Sequence, residues 1–342
     1  MAFGNSSFDE ILSTTLKNYV PRLTDNIFSA RPLFYALTNG QTMRRIGGGA
    51  KIVVPVLGKT NATAASYSGT DTITTTASDG MTAAEYDWGQ YAVTVTISGI
   101  EEAKNNGEEQ IIDLLEGKIF QAQETVISNM NAMLFSDGEG NSQKDWNGIG
   151  NLVQNGSAPG GNDAQRARLR TIGGIDSSDS DNSWWTSTVT DHTTNSGNLS
   201  LAAMGTLYNT VSVGNDQPTI IMTSQQGYEA YEALLTSNVR YTDTDMANSG
   251  FQNLMFKGAP VVFDDDCPAG TDQSNHSGAG RVYMLNTAKY IQIVAHSDVW
   301  FKPTPFVRPT NQDSVFSQIL CYGQLTISNR ARQGFLDNVL DA

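Results

Sequence analysis

Charge is scarce in this chain. Only 16% of its 342 residues are Asp, Glu, Lys or Arg, against ~25% in an ordinary globular domain. Cations are the scarcer sign: 21 Lys and Arg face 35 Asp and Glu, a net charge of −14. That excludes a dedicated nucleic-acid binder, which needs clustered Lys and Arg to neutralise phosphates. Cysteine is nearly absent. Cys267 and Cys321 form neither a CxxC pair nor a disulfide framework, so they read as small buried thiols of a reducing compartment, with one structural disulfide as the alternative. The three histidines, His192, His276 and His296, are scattered through polar stretches. No HExxH, no pair at metal-ligand spacing and no GxSxG elbow occurs, so neither catalytic residues nor a cofactor or metal is expected. Long apolar runs are missing too. Ile52–Leu57 is among the longest, far short of the ~20 residues that span a bilayer, so no membrane partner is expected. Met1–Glu10 has no basic stretch followed by an apolar one, so no secretory signal is visible.

Apolar residues nonetheless make up 39% of the chain, and 32 glycines add to them, which suffices for a sizeable core. The surface must then be largely Ser, Thr, Asn and Gln. Such a covering suits a chain that lies against neighbours or works outside a cell.

Residues 1–43 carry two short helical stripes. Phe8, Ile11, Leu12 and Leu16 stop at Pro21; Leu23, Ile27 and Phe28 run until Pro32 interrupts them. Residues 50–98 read as a long hairpin. Ala50–Leu57 is one strand, and Tyr91, Val93, Val95 and Ile97 alternate with polar or small residues in the other. Between them, residues 58–88 offer only Tyr67, Ile73, Met81 and Tyr86 for burial. An insert of ~30 residues with so little to bury is expected to be either disordered or held by another subunit.

Ser98 and Glu101 fit a capping box. Asn105-Asn106-Gly107 then breaks the chain, and a long helix is predicted from Glu108 to about residue 135. Its stripe runs through Ile111, Leu115, Ile119, Ala122, Val126, Met130 and Met133, with Gly138 beyond its end. At ~1.5 Å per residue it is a spine for other parts to lie on. Helices are predicted at Leu199–Val213 and Ser224–Leu235, with Ser224 as N-cap. Strands are predicted at Pro218–Thr223, Phe251–Phe256, Ala259–Phe263, Arg281–Leu285, Tyr290–Ala295 and Val315–Ser328.

Three clusters raise the question of chemistry. Gly47-Gly48-Gly49-Ala50-Lys51 is loosely like a phosphate loop, but Arg45 stands where the first Gly should be and Ile52 where Ser or Thr should follow Lys. A hinge at the hairpin base is the better reading. Asp264-Asp265-Asp266 reads as a solvated turn, with calcium binding as the alternative. Arg166, Arg168 and Arg170 alternate, so in extended chain they would point one way. Salt bridges between subunits are the favoured reading; isolated surface charges and nucleic-acid contacts are the alternatives.

The order of blocks resembles the major capsid proteins of tailed bacteriophages. The blocks are GGGAKIVVPVL, YAVTVTISGIEEAKNNGEEQIIDLLEGKI, LFSDG with GIGNLV, TIGGIDSS before a WW pair, FKGAPVVFDDDCPAG, RVYMLNT and ILCYGQLTISNRARQG. The resemblance implies an α+β, HK-ninety-seven-like fold. Residues 1–43 would be the N-terminal arm, 44–97 the extended β-hairpin loop, 98–153 the peripheral domain with the spine helix, and 154–312 the axial domain. Residues 313–342 would be strands returning to the peripheral domain. It further implies a structural protein, not an enzyme, that assembles with itself into hexamers and pentamers of an icosahedral head. That head, in a virion built in the host cytoplasm, would enclose double-stranded DNA held by weak non-specific contacts. A portal protein, a decoration protein and a separate scaffolding protein would be partners, the last because the arm-like stripe begins by Phe8 with no charged segment before it. Lys59, Asn61, Tyr67, Asp71, Ile73, Tyr86, Arg166, Arg168 and Arg170 are the candidate inter-subunit contacts. An encapsulin nanocompartment shell is the alternative of the same fold. A secreted acidic β-rich hydrolase or adhesin is the alternative of another class.

Overall fold

The computed structural model describes residues 31–38, 43–77, 79–104, 114–156, 163–191, 199–235, 254–268, 280–337 and 339. The two stripes of the arm, Phe8–Leu16 and Leu23–Phe28, lie outside them, as does the predicted helix start at 108–113.

In chain order the elements begin with α1 (Pro32–Thr38), β1 (Arg44–Ile46), β2 (Ile52–Leu57), β3 (Met81–Tyr86), β4 (Gly89–Ser98), α2 (Gly99–Lys104) and α3 (Leu114–Phe135). Then come α4 (Ile149–Leu152), α5 (Asp163–Arg170), β5 (Thr171–Ile172), β6 (Ile175–Asp176), β7 (Thr188–Asp191), α6 (Leu201–Val211), β8 (Ile220–Thr223) and α7 (Gln225–Leu234). The last are β9 (Leu254–Phe256), β10 (Ala259–Phe263), β11 (Arg281–Leu285), β12 (Ile291–His296), β13 (Lys302–Pro303), β14 (Ser314–Ile327) and β15 (Gly334–Asp337). The fold is α+β.

The chain divides into two compact units. Among the described residues, the larger falls within 30–91, 127–302 and 320–342, and the smaller within 92–126 and 303–319. The larger unit is built on a six-stranded mixed sheet in the order β7-β15-β11-β8-β10-β9. β8 and β10 run parallel, as do β15 and β7; the other pairs are antiparallel. Helices α6 and α7 cover it, burying Leu207, Val211 and Tyr231 against Ile221, Val261, Met284 and Leu336. Both helices start on serine caps: Ser200 accepts from the Ala203 N–H and Ser224 from the Gly227 N–H. In the second sheet β1 runs parallel to β12, and β12 antiparallel to the end of β14.

In the smaller unit the capping box forms as expected. The Ser98 N–H donates to Glu101 Oε2 and the Glu101 N–H to Ser98 Oγ. Lys118 from α3 then bonds Glu101 at 2.7 Å and the Thr96 carbonyl at 3.0 Å, which ties the spine helix to β4. The bond from Lys118, then that from the Ser98 N–H, hold the Glu101 carboxyl below its ordinary value. Along α3, Ala122, Val126, Met130, Met133 and Leu134 are buried, as the stripe requires.

Pro32 opens α1 at the first helical position, where its missing N–H costs nothing; the stripe it was expected to interrupt lies outside the described residues. Several expectations are overturned. The partner of β2 is β3, not the alternating strand Tyr91–Ser98. That alternating strand is β4, and it pairs with β14. The arginine run 166–170 is the end of α5 rather than extended chain, so residues two apart do not share a face. Asp264 is not solvated: it is 1% exposed. It accepts from Asn131 Nδ2 at 2.9 Å and from the backbone N–H groups of Leu33 and Asp266. Arg31 meets Asp266 at 3.0 Å and Ser128 at 2.9 Å beside it. Burial pushes the Asp264 carboxyl above its ordinary value, and three donors compensate its charge.

Candidate assembly interface

The two strands of the hairpin pair in strict register, from Ile52 opposite Tyr86 to Leu57 opposite Met81. Alternation gives this ribbon two faces of different fate. On the inner face Ile52, Val56, Ala84 and Tyr86 are buried. The Tyr86 hydroxyl donates to the Ile327 carbonyl at 2.8 Å, and burial pushes its phenol well above the usual value. The Glu85 N–H donates to the Gly173 carbonyl at 2.9 Å. At the end of β2, Gly58 lies flat on the Trp184 indole; a Cβ there would stand 2.1 Å from the ring. Only glycine lets the strand leave at that point. Lys59 then reaches Asp181 at 3.1 Å, and Lys51 reaches Glu85 at 3.1 Å. The hairpin is thus aimed by its own subunit.

The outer face has no such cover. Val53 is 52% exposed, Leu57 75% and Met81 85%. Pro55 and Ala83, directly opposite each other, are exposed between them. This is an apolar ribbon facing outward. Each Val, Leu or Met that a partner fully covered would contribute about 1.5–3 kcal/mol.

The loop 58–80 continues the exposure. Tyr67 and Ile73 are 70% and 60% exposed. Asn61 and Asp71 close local turns rather than reach out. Asn61 Oδ1 accepts from the Thr63 N–H at 2.9 Å, and Asp71 Oδ2 from the Ser68 N–H at 2.7 Å. The structure therefore brings Lys59, Asn61, Tyr67, Asp71 and Ile73 onto one exposed loop. Tyr86 stands apart from them, committed inside its own subunit.

The arginines lie on α5 instead. Arg168 donates to the Asp137 carboxylate at 3.1 Å and meets Glu139 at 3.3 Å, both in its own chain. Arg170 is half-buried and its aliphatic stem lies on Gly156; the Arg166 side chain lies outside the described residues. Sequence reasoning missed Val53 and Leu57. Their signal was present, since Ile52–Leu57 is apolar on both faces while a two-stranded ribbon can bury only one.

No three His, Cys, Asp or Glu side chains gather at metal-binding distance among the described residues. Cys267 and Cys321 are buried, and burial pushes the Cys321 thiol up to about 12 and that of Cys267 higher, which keeps both protonated and unreactive. No described helix is long and apolar enough to cross a membrane.

No family model matches this sequence, and no curated protein matches it. Solved structures do. The cyanophage A-1(L) capsid subunit is 18% identical, with a TM-score of 0.64 over 95% of this chain and 97% of that one. The capsid of a native GTA particle is 13% identical, with a TM-score of 0.63 over 98% and 99%. The holo-SrpI encapsulin of Synechococcus elongatus PCC 7942 is 13% identical, with a TM-score of 0.61 over 99% and 96%. The chain has the fold shared by these phage capsid and encapsulin shells, along its whole length.

Proposed function

We propose that this chain is the major capsid protein of a tailed phage, closing an icosahedral head from hexamers and pentamers of itself around double-stranded DNA. The observation that carries the reading is the hairpin with one face docked on its own subunit and the other, Val53-Pro55-Leu57 with Met81-Ala83, apolar and uncovered. A free monomer gains nothing from projecting such a ribbon, and a second copy of the chain supplies its cover. The fold supports assembly from identical copies, because its neighbours are shells built that way. Residues 1–43 then serve as the arm, 44–97 as the extended loop, 98–153 as the peripheral domain rejoined by 313–342, and 154–312 as the axial domain. Tyr67 and Ile73 make the loop's contacts with the neighbour. A portal, a scaffolding protein and a decoration protein complete the head, and its site is the virion after assembly in the host cytoplasm. The acidic chain holds DNA weakly, which suits a genome that must leave.

An encapsulin-type shell is the second reading, favoured by the SrpI match. Electron microscopy of the expressed chain, with and without the products of its neighbouring genes, tests both. Parent protein should form closed shells, whereas Leu57→Asp with Met81→Asp should give soluble subunits of unchanged circular dichroism that do not close. Normal particles from the double variant would sink the proposal. Particles that mature only with a portal favour the phage head; particles that fill with a co-expressed enzyme favour the nanocompartment.

A further inference from the structure

The phase of the hairpin's ladder leaves one backbone edge unused. The Gly58 N–H donates to the Gly80 carbonyl at 2.9 Å, one step beyond the Leu57–Met81 pair. In an antiparallel pair the bonded positions alternate. Ile52, Val54 and Val56 therefore bond Tyr86, Ala84 and Thr82 across the ladder. Val53, Pro55 and Leu57 on one strand, and Met81, Ala83 and Glu85 on the other, turn their backbone groups outward. Two observations agree with this phase. Pro55, which has no N–H to give, stands at an outward position. The Glu85 N–H points out of the ladder and donates to the Gly173 carbonyl at 2.9 Å.

The two outward edges differ. On the β2 edge Pro55 breaks the row of donors, and a proline there bars a further strand. On the β3 edge Gly173 takes the Glu85 N–H, but the outward groups of Met81 and Ala83 meet no partner among the described residues. No proline or lysine blunts that stretch, so it is a template for one more strand. The same chain holds a strand-like run without an edge. Thr72-Ile73-Thr74-Thr75-Thr76 is five β-branched residues in a row, the type that favours strands. All five are exposed and belong to no strand, and no backbone bond joins them to a described residue.

We infer that residues 72–76 of a second copy add to the β3 edge at Met81 and Ala83, so that two subunits share one three-stranded sheet. The inference rests on the shell reading and deepens it: that reading names a second copy as the cover of the ribbon, and this one names the segment it brings and the bonds that hold it. A two-stranded ribbon is marginal on its own, and a third strand stabilises it. Backbone bonds give such an added strand its affinity, and its alternate side chains give the fit. Ile73, the large apolar residue of the run, gains Met81 and Ala83 to lie beside. Charge does not oppose the meeting. Each copy carries a net charge of −14, yet neither Thr72–Thr76 nor Met81–Ala84 contains a charged residue, so two acidic subunits can approach there without like charges facing each other.

The test is a proline at the open edge. Ala83→Pro deletes an outward N–H, leaves the bonds between β2 and β3 in place and keeps the outer face apolar. It should give soluble subunits with the parent's circular dichroism that no longer close into shells by electron microscopy. Ala83→Val, of similar volume and with its N–H kept, should close as the parent does. A second measurement does not need the proline variant to fold. Ala83→Cys is combined in turn with Thr72→Cys, Ile73→Cys, Thr74→Cys, Thr75→Cys and Thr76→Cys, and the assembled particles are oxidised. At least one pair should give multimers on a non-reducing denaturing gel; the native Cys267 and Cys321 are buried and stay out of the reaction. Normal particles from folded Ala83→Pro, equal loss from Ala83→Val, no cross-link from any pair, or disulfides that close only within one chain would overturn the inference and leave the shell reading standing. A parent that forms no shells, or normal shells from Leu57→Asp with Met81→Asp, would remove the shell reading and this inference with it.

Discussion

Arg330 is fully buried and has no carboxylate partner among the described residues. Instead its five N–H groups donate to five backbone carbonyls: Nε to Leu152, Nη1 to Arg170 and Trp185, and Nη2 to Gln154 and Leu169. Burial pushes the guanidinium down to about 10, still well above neutrality, so it stays charged and is solvated by carbonyl dipoles in place of water. Two of those acceptors have other donors, Arg170 from the Ser177 N–H and Gln154 from the Ser187 N–H. Arg330→Met would therefore orphan three carbonyls, those of Leu152, Leu169 and Trp185. At about 1–3 kcal/mol each the loss is about 3–9 kcal/mol before coupling among neighbours reduces it. That is comparable with the whole stability of a typical domain, ~5–15 kcal/mol. Arg330→Lys keeps a charge but offers three donors from one point, so it should cost about 2–4 kcal/mol, being unable to reproduce the planar fork. Urea unfolding followed by tryptophan fluorescence reads both, since the Trp185 indole is bonded to the Ile172 carbonyl in the same region. The expected order of midpoints is parent, then Lys, then Met, with Met at the edge of insolubility. An Arg330→Met variant within about 0.5 kcal/mol of the parent would refute the hub.

Three further outcomes are expected. Joining Leu57 to Met81 through Asn-Gly in place of residues 58–80 preserves the register of β2 and β3, because those two residues already face each other. The product should fold with unchanged helix content yet fail to close shells, and normal particles by electron microscopy would count against the loop as a clamp. In the small unit, Glu101 ionises more easily folded than unfolded, so its cap contributes above the unfolded carboxyl's pKa and is lost as pH falls through the lower folded value. The protection of the Gly99–Lys104 amides, taken relative to their intrinsic exchange rates at each pH, should fall on acidification in the parent, whereas Glu101→Gln should show the weakened protection at all pH values. Hydrogen exchange should also slow across Tyr67–Ile73 when subunits close into shells; equal rates before and after would place that loop outside the contacts.

How much of this was legible follows from how far each signal reaches along the chain. The capping box at Ser98 and Glu101 and the cap at Ser224 formed as read, because donor and acceptor lie three residues apart. The buried run Ile220–Thr223 and the alternation of β4 were read as strands for the same local reason. The partner of β4 was not legible. It is β14, more than two hundred residues later, and no local pattern names a partner at that distance. Arg168 and Arg170 were misread because five residues are too few to tell a period of two from one of 3.6. Asp264 sat in a run of three aspartates that looked solvated; its cover comes from Asn131 and the Leu33 N–H, each more than one hundred residues away.

The hairpin fails in a different way, and the failure bears on function. Met81–Tyr86 has the sequence MTAAEY, which carries too little apolar character to mark a strand, and it was read as part of a polar insert. It becomes a strand because β2 supplies the ladder and because Ala84 and Tyr86 fill space beneath it. Its exposed apolar residues have no cover in the described part of the chain: Met81 and Ala83 repeat, on the outer face, the apolar choice already made at Val53, Pro55 and Leu57. A ribbon designed only for its own subunit would carry polar residues at those positions, as the rule of alternation demands. Local and global signals agree on the inner face and conflict on the outer one, and such conflicts in natural sequences fall where function has overridden the fold. The conflict is resolved once the missing side of the ribbon is another copy of the chain, which makes the outer face a core position of the assembly and an error only in the isolated subunit.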